Sequence, residues 1–178
     1  LCKNFKVYLI DVIGFGRSDI PERPLNTDDF GNFLRDLLDA LKIENPILIG
    51  HSNGGRTIIN AVGRGIVSPK KVVLIDSAGI KPKRSMWYYT KVSVFKIGKK
   101  VLNMLPDTKT IKKFKEKLRD SVGSADYKAS NNVLKETMKI ILNEDQTDKL
   151  PNIKVPTLLI WGSLDDATPI SDAKKMEQ

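Results

Sequence analysis

The chain has 178 residues, enough for one domain with an insertion, and its 40% hydrophobic and 29% charged residues exclude global disorder. No apolar run approaches the roughly 20 residues of a membrane-spanning helix. The net charge of +9 is concentrated: between Ile80 and Asp120, thirteen Lys and Arg stand against three acidic residues, so the remainder is near neutral.

A basic block of this kind usually forms a solvated helix face; attraction to nucleic acid or an anionic membrane is the alternative. No nucleic-acid-binding module accompanies the charge, so no specific nucleic-acid partner is expected. The single cysteine, Cys2, cannot form an internal disulfide, which fits the reducing cytoplasm. The chain opens without an initiator Met just ahead of a strand, and Ala173–Gln178 reads as stopping inside a helix. It is therefore expected to be truncated at both ends.

In chain order, Phe5 to Asp11 reads as a buried strand, followed by a turn at Gly14-Phe15-Gly16. Asn26-Thr27-Asp28-Asp29 supplies a helix N-cap and an acidic first turn, and Phe30, Phe33, Leu34, Leu37, Leu38 and Leu41 recur on one helical face. Asn45-Pro46 breaks the chain before a strand at Ile47–Ile49. A helix over Gly54–Val62 and a strand over Lys71–Asp76 follow. Short apolar strands alternating with helices predict a parallel sheet with helices on its faces, an α/β fold. From Gly79 about seventy residues of helical character intervene, far more than a normal strand-to-helix connection. Helices are expected near Ser85–Leu105, Thr108–Ser121 and Asn131–Asn143, then a linker over Asp148–Pro156 and a strand over Thr157–Trp161. The predicted organisation is a core first part over 1–79, an inserted helical lid over 80–149 and a core second part over 150–178.

The strongest chemical signal is Gly50-His51-Ser52-Asn53-Gly54, a G-x-S-x-G between a buried strand and an apolar helix. A serine on such a sharp, strained turn needs small neighbours two residues away on either side, here Gly50 and Gly54, while Gly55 lets the helix pack closely. The N–H groups at the helix start favour developing negative charge. Ser52 is the candidate nucleophile, and the backbone N–H of Asn53 the candidate oxyanion donor. The bland alternative is a Gly/Ser-rich turn without chemistry. Gly14-x-Gly16 is not a dinucleotide fingerprint, because Asp19 stands where a third glycine belongs and no helix starts there.

Three stretches, Asp11-Val12-Ile13-Gly14-Phe15-Gly16-Arg17-Ser18, Gly50–Gly55 and Trp161-Gly162-Ser163-Leu164-Asp165, resemble the α/β-hydrolase family. The likeness is to its lidded branch of esterases and carbon–carbon bond hydrolases acting on ring-cleavage products. The resemblance covers nearly the whole chain; Ile13 stands where the family usually has proline. It implies an α/β-hydrolase core with a lid, and the order nucleophile, acid, histidine. Asp165 is the implied acid. Asp166, beside it, and Asp76, at a position some members use, are its rivals. The histidine is not in place: His51, the one histidine of the chain, adjoins Ser52 on a sharp turn and points away from it. The base and the loop carrying a second oxyanion donor are expected outside residues 1–178, and these residues alone are expected to be inactive.

Trp87, Tyr88 and Tyr89 either line a pocket for a hydrophobic substrate or pack the lid onto the core. The expected activity is hydrolysis of an ester, acyl or carbon–carbon bond in a small-molecule substrate through an acyl-enzyme. Alternatives are a perhydrolase or aminopeptidase on the same fold, or a non-catalytic receptor. Epoxide hydrolases and dehalogenases of this fold use an aspartate nucleophile, which Ser52 argues against. No metal site and no cofactor are expected, since His and Cys do not cluster.

Overall fold

Three strands, β1 (Ile47–His51), β2 (Lys71–Ile75) and β3 (Thr157–Ile160), lie side by side in that order and run parallel. They are seen in a computed structural model that describes residues 2–81 and 132–178. These residues belong to one compact unit. The basic stretch beyond Lys81, the helices expected near Ser85–Leu105 and Thr108–Ser121, and Trp87, Tyr88 and Tyr89 lie outside the described residues.

Helix α1 (Thr27–Ala40) begins where the sequence places its cap. The Asn26 side chain accepts the Asp29 N–H (2.9 Å), and the Asp29 carboxylate accepts the Asn26 N–H (2.9 Å), a reciprocal capping box. Arg23 donates to both Asp29 oxygens, at 3.0 and 2.6 Å. That bond, more than any other effect, holds the Asp29 carboxyl below the usual aspartate range. Of the expected apolar face, Phe30, Leu34 and Leu38 are buried, while Leu41 falls beyond the helix end and is exposed.

Helix α2 (Asn53–Gly63) is buried at every residue from Gly55 to Gly63. It lies on the sheet face that carries Leu48, Val72 and Leu74, and Ile58, Ile59 and Val62 join them in the main core. Ile59 has no exposed surface, which is worth about 1.5–3 kcal/mol of hydrophobic transfer. A Cβ on Gly31 of α1 would run into the Asn60 side chain, so a glycine is what lets α1 and α2 approach.

Burying α2 all round also buries the polar side chains of Arg56, Thr57 and Asn60, and these are hydrogen-bonded. Asn60 donates to Asp28 (2.7 Å) and Gln146 (3.0 Å), and Arg56 donates to the Glu144 carbonyl (3.1 Å). Burial pushes the Arg56 guanidinium down from its ordinary value, with Glu144 and Asp145 opposing.

Helix α3 (Asn132–Ile141) packs on this unit through Ile141, which clusters with Leu25 and Phe30, and through Thr137, whose hydroxyl accepts the Leu25 N–H (3.0 Å). The linker expected over Asp148–Pro156 begins as a 3-10 helix, Thr147–Asn152. Helix α4 spans Ile170–Met176, and the Glu177 N–H bonds the Ala173 carbonyl at its end.

One expected element is absent. Phe5–Asp11 is not a strand: it pairs with none of the described strands, and Phe5 and Leu9 are 54% and 95% exposed. Its composition suits a ladder, but a strand exists only where a neighbouring backbone supplies the other half of the hydrogen bonds.

Replacing Asn26 by Ala removes one half of the capping box and is expected to cost about 1 kcal/mol in urea denaturation at neutral pH. The Asp29 contribution is present above the ordinary aspartate value and is lost as pH falls through its depressed one. The cost of Asp29→Ala, unlike that of Asn26→Ala, should therefore shrink in strong acid. A cost of Asp29→Ala unchanged by pH would show that the Asp29 charge takes no part.

Candidate active site

Strand register decides which residues meet. His51 pairs with Ile75, and Ile75 with Ile160, so the three strands end level. The pairing runs one residue further: the Ser52 N–H bonds the Ile75 carbonyl (3.2 Å) and the Asp76 N–H the Ile160 carbonyl (3.0 Å). Ser52, Asp76 and Trp161 thus leave the same carboxyl edge of the sheet, where open parallel sheets bind ligands.

Ser52 has φ +49° and ψ −115°, a conformation a side-chain-bearing residue rarely adopts. Such strain costs about 1–3 kcal/mol and persists only where the surroundings impose it. The surroundings do so here. Besides its N–H bond, the Ser52 carbonyl accepts the Arg56 N–H (3.2 Å) and the Ala78 N–H (3.0 Å). A Cβ on Gly50 would lie 2.6 Å from the Gly54 carbonyl carbon and the Gly55 nitrogen, so glycine is obligatory there. A Cβ on Gly55 would collide with the Ser77 side chain. Gly54 differs: among the described residues nothing lies within 4 Å of a Cβ placed on it. The steric demand of the turn therefore falls on Gly50 and Gly55.

The Ser52 hydroxyl makes no hydrogen bond among the described residues, and none caps α2. Asn53 is the first residue of that helix, where N–H groups have no intrahelical partner. Its N–H stands next to the serine with the positive end of the helix behind it. The Asn53 side-chain oxygen is buried without a partner among the described residues, which nothing in the sequence announced.

Asp165 lies in the loop after β3. One carboxylate oxygen, Oδ1, accepts the N–H groups of Ala167 (2.7 Å) and Thr168 (2.8 Å). The Thr168 N–H is the main reason its carboxyl is held below the usual range. Burial opposes this, and the Ala167 N–H, the Thr168 hydroxyl and, least, the charge of His51 add to it. Asp166 makes no hydrogen bond among the described residues and is exposed. Asp76 bonds the start of the same loop, its Oδ1 accepting the Gly162 N–H at 2.6 Å. His51 ends β1 and alternates with Ile47 and Ile49 on the face opposite α2. Thr168, which holds Asp165, was not singled out by the sequence, and Gly162 stood in a quoted stretch without its bond to Asp76 being foreseen. The Asp165-x-x-Thr168 spacing was the available sign, because Asp carboxylates accept N–H groups two and three residues on.

An apolar groove of about 690 Å³ lies along β3 and α4, lined among others by Leu74, Leu150, Leu159, Trp161, Ile170 and Met176. Neither Ser52 nor Asp165 lines it. Among the described residues no group of three His, Cys, Asp or Glu could hold a metal ion, and no helix is long and apolar enough to cross a membrane.

Comparison with known proteins bears on the family and the fold. The family described as alpha/beta hydrolase fold matches residues 2–178. The AB hydrolase superfamily protein YisY of Bacillus subtilis is 27% identical over 99% of the chain and 70% of its own length. A 3-oxoadipate enol-lactonase of Acinetobacter baylyi is 28% identical over 100% of the chain and 68% of its own length. Among solved structures, an esterase from Exiguobacterium antarcticum superposes with a TM-score of 0.61 at 21% identity, over 93% of this chain and 66% of that one. The chain spans 56% to 66% of the length of such solved relatives.

The packing of α2 on Ser77 yields a direct check. Gly55→Ala is expected to destabilise by about 1–3 kcal/mol through overpacking. Adding Ser77→Gly, which removes the atoms struck, should recover part of that loss, so the two changes together cost less than their sum. Strict additivity would mean that the helix is not seated on Ser77.

Proposed function

Because the chain belongs to the alpha/beta hydrolase fold family, we propose that its protein is a serine hydrolase acting on an ester, acyl or carbon–carbon bond of a small hydrophobic substrate. The observation that carries this reading is the left-handed backbone of Ser52 between β1 and α2, held by close contacts that require glycine at position 50. That strain presents a hydroxyl at the carboxyl edge of a parallel sheet, which a structural turn would not need.

In this reading Ser52 Oγ attacks the substrate carbonyl and forms an acyl-enzyme, which water then hydrolyses. The Asn53 N–H, backed by α2, stabilises the oxyanion of the tetrahedral intermediates. Asp165 orients the base and stabilises the imidazolium formed during attack. Its depressed pKa keeps it ionised below the usual aspartate range, so loss of rate in mild acid reports the base. His51 is not that base, since it adjoins Ser52 in sequence and ends β1 on the face away from α2. Residues 80–149 are read as a lid whose last part, α3, packs against Leu25 and Phe30 of the core.

A fluorophosphonate probe applied to the full-length gene product is expected to label Ser52, and Ser52→Ala should abolish labelling and lower ester turnover by several orders of magnitude. Unlabelled wild type without turnover would instead support a non-catalytic member of the fold. Among the acids, Asp165→Asn should lower kcat by about a thousandfold or more, because an amide there can hold the wrong imidazole tautomer. Asp166→Asn should stay within about threefold of wild type, having no bond to lose. A reversed order would move the acid to Asp166.

A further inference from the structure

The residue after β2 is as unusual as the serine after β1. Asp76 has φ +40°, a left-handed conformation that Asp tolerates better than most residues but seldom adopts without a reason. Its three polar groups all bond the chain that leaves β3. The N–H bonds the Ile160 carbonyl (3.0 Å), Oδ1 accepts the Gly162 N–H (2.6 Å), and the carbonyl accepts the Thr168 hydroxyl (3.1 Å). Gly162 and Thr168 bracket the loop that carries Asp165.

Thr168 is the junction. Its hydroxyl is on Asp76, its N–H on Asp165 Oδ1 (2.8 Å), and its carbonyl accepts the Trp161 indole N–H (2.7 Å). The loop has little else to hold it: Leu164 is 91% exposed, and Gly162 and Ser163 are exposed as well. Apolar burial does not fix where Asp165 stands, so these hydrogen bonds must. On the other side, Ile75, one residue before Asp76, accepts the Ser52 N–H (3.2 Å). A short path of bonds therefore runs from the nucleophile's backbone through Ile75 and Asp76 to the loop of the acid.

We infer that Asp76 is a positioning residue: its carboxylate and carbonyl clamp the Gly162–Thr168 loop and so set the Asp165 carboxylate relative to Ser52. This rests on the reading of Asp165 as the acid. It assigns Asp76 a role other than that of a rival acid, and the two roles make opposite demands on the side chain. A clamp needs only an oxygen that accepts the Gly162 N–H, which asparagine retains. An acid that stabilises an imidazolium needs the negative charge, which asparagine loses.

The experiment compares Asp76→Asn, Asp76→Gly and Asp165→Asn in the full-length gene product. Glycine removes the carboxylate yet accepts φ +40° without strain, so loss of folding is not built into the variant. Two quantities are read: kcat and KM on p-nitrophenyl acetate, and amide hydrogen exchange over residues 161–168. The clamp predicts that Asp76→Asn keeps kcat within about threefold. Asp76→Gly should lose about tenfold to a hundredfold in kcat with KM little changed, the effect of a misplaced group. Exchange over 161–168 should rise in Asp76→Gly alone. Asp76→Asn as damaging as Asp165→Asn would overturn the inference and make Asp76 the acid. Unchanged kcat and exchange in Asp76→Gly would overturn it as well. Should the wild type neither turn over the ester nor take the fluorophosphonate label, the serine-hydrolase reading fails by itself. The exchange comparison then still decides whether Asp76 holds the loop.

Discussion

A serine at φ +49° can exist only where its surroundings forbid relaxation, and much of this chain supplies those surroundings. β1 must deliver the backbone to the edge of the sheet and α2 must leave at once, over a glycine that takes up almost no room. Gly50 lies so close to the Gly54–Gly55 backbone that any side chain would drive strand and helix apart. Gly55 then lies against Ser77, which ties the start of α2 to the chain just past β2. The strain of one residue is offset by the packing of a helix that is buried from Gly55 to Gly63.

The same edge carries a second left-handed residue, Asp76. Among the described residues, the other positive φ angles at non-glycine positions belong to Lys42 and Asn45, in the turn between α1 and β1, where a reversal of direction explains them. Ser52 and Asp76 end neighbouring strands of equal register instead. Two strained residues side by side at the carboxyl edge of a parallel sheet mark it as the place where side-chain direction matters more than backbone comfort.

What the sequence disclosed follows the range of the forces involved. Capping and helical periodicity are local, so Asn26, Asp29 and the Phe30–Leu34–Leu38 stripe were legible, and so were the apolar strands at Ile47, Lys71 and Thr157. The strained turn at Ser52 was legible because its steric demands fall within six consecutive residues, Gly50 to Gly55. Phe5–Asp11 misled because strand formation depends on a partner that composition does not reveal. Gly54 looked as necessary as Gly50, yet the space around it is open, and only the coordinates separate the two. The bond from Gly162 to Asp76 joins residues 86 apart and left no mark in either segment.

The buried polar network around α2 bears on the site by a longer route. Arg56 is within one turn of Ser52, and its N–H bonds the Ser52 carbonyl while its guanidinium bonds the Glu144 carbonyl. Asn60, one turn further, holds Asp28 and Gln146. Apolar residues would hold the helix as firmly, since burying a charge costs several kcal/mol that its partners only repay. They would not fix its rotation, because hydrophobic contact is non-directional. A hydrogen bond is directional, and turning α2 by even part of a residue would break both sets at once. The Asn53 N–H is aimed by that same rotation. Polar partners at Arg56 and Asn60 therefore fix the direction of the Asn53 N–H, on which its proposed role toward an oxyanion depends.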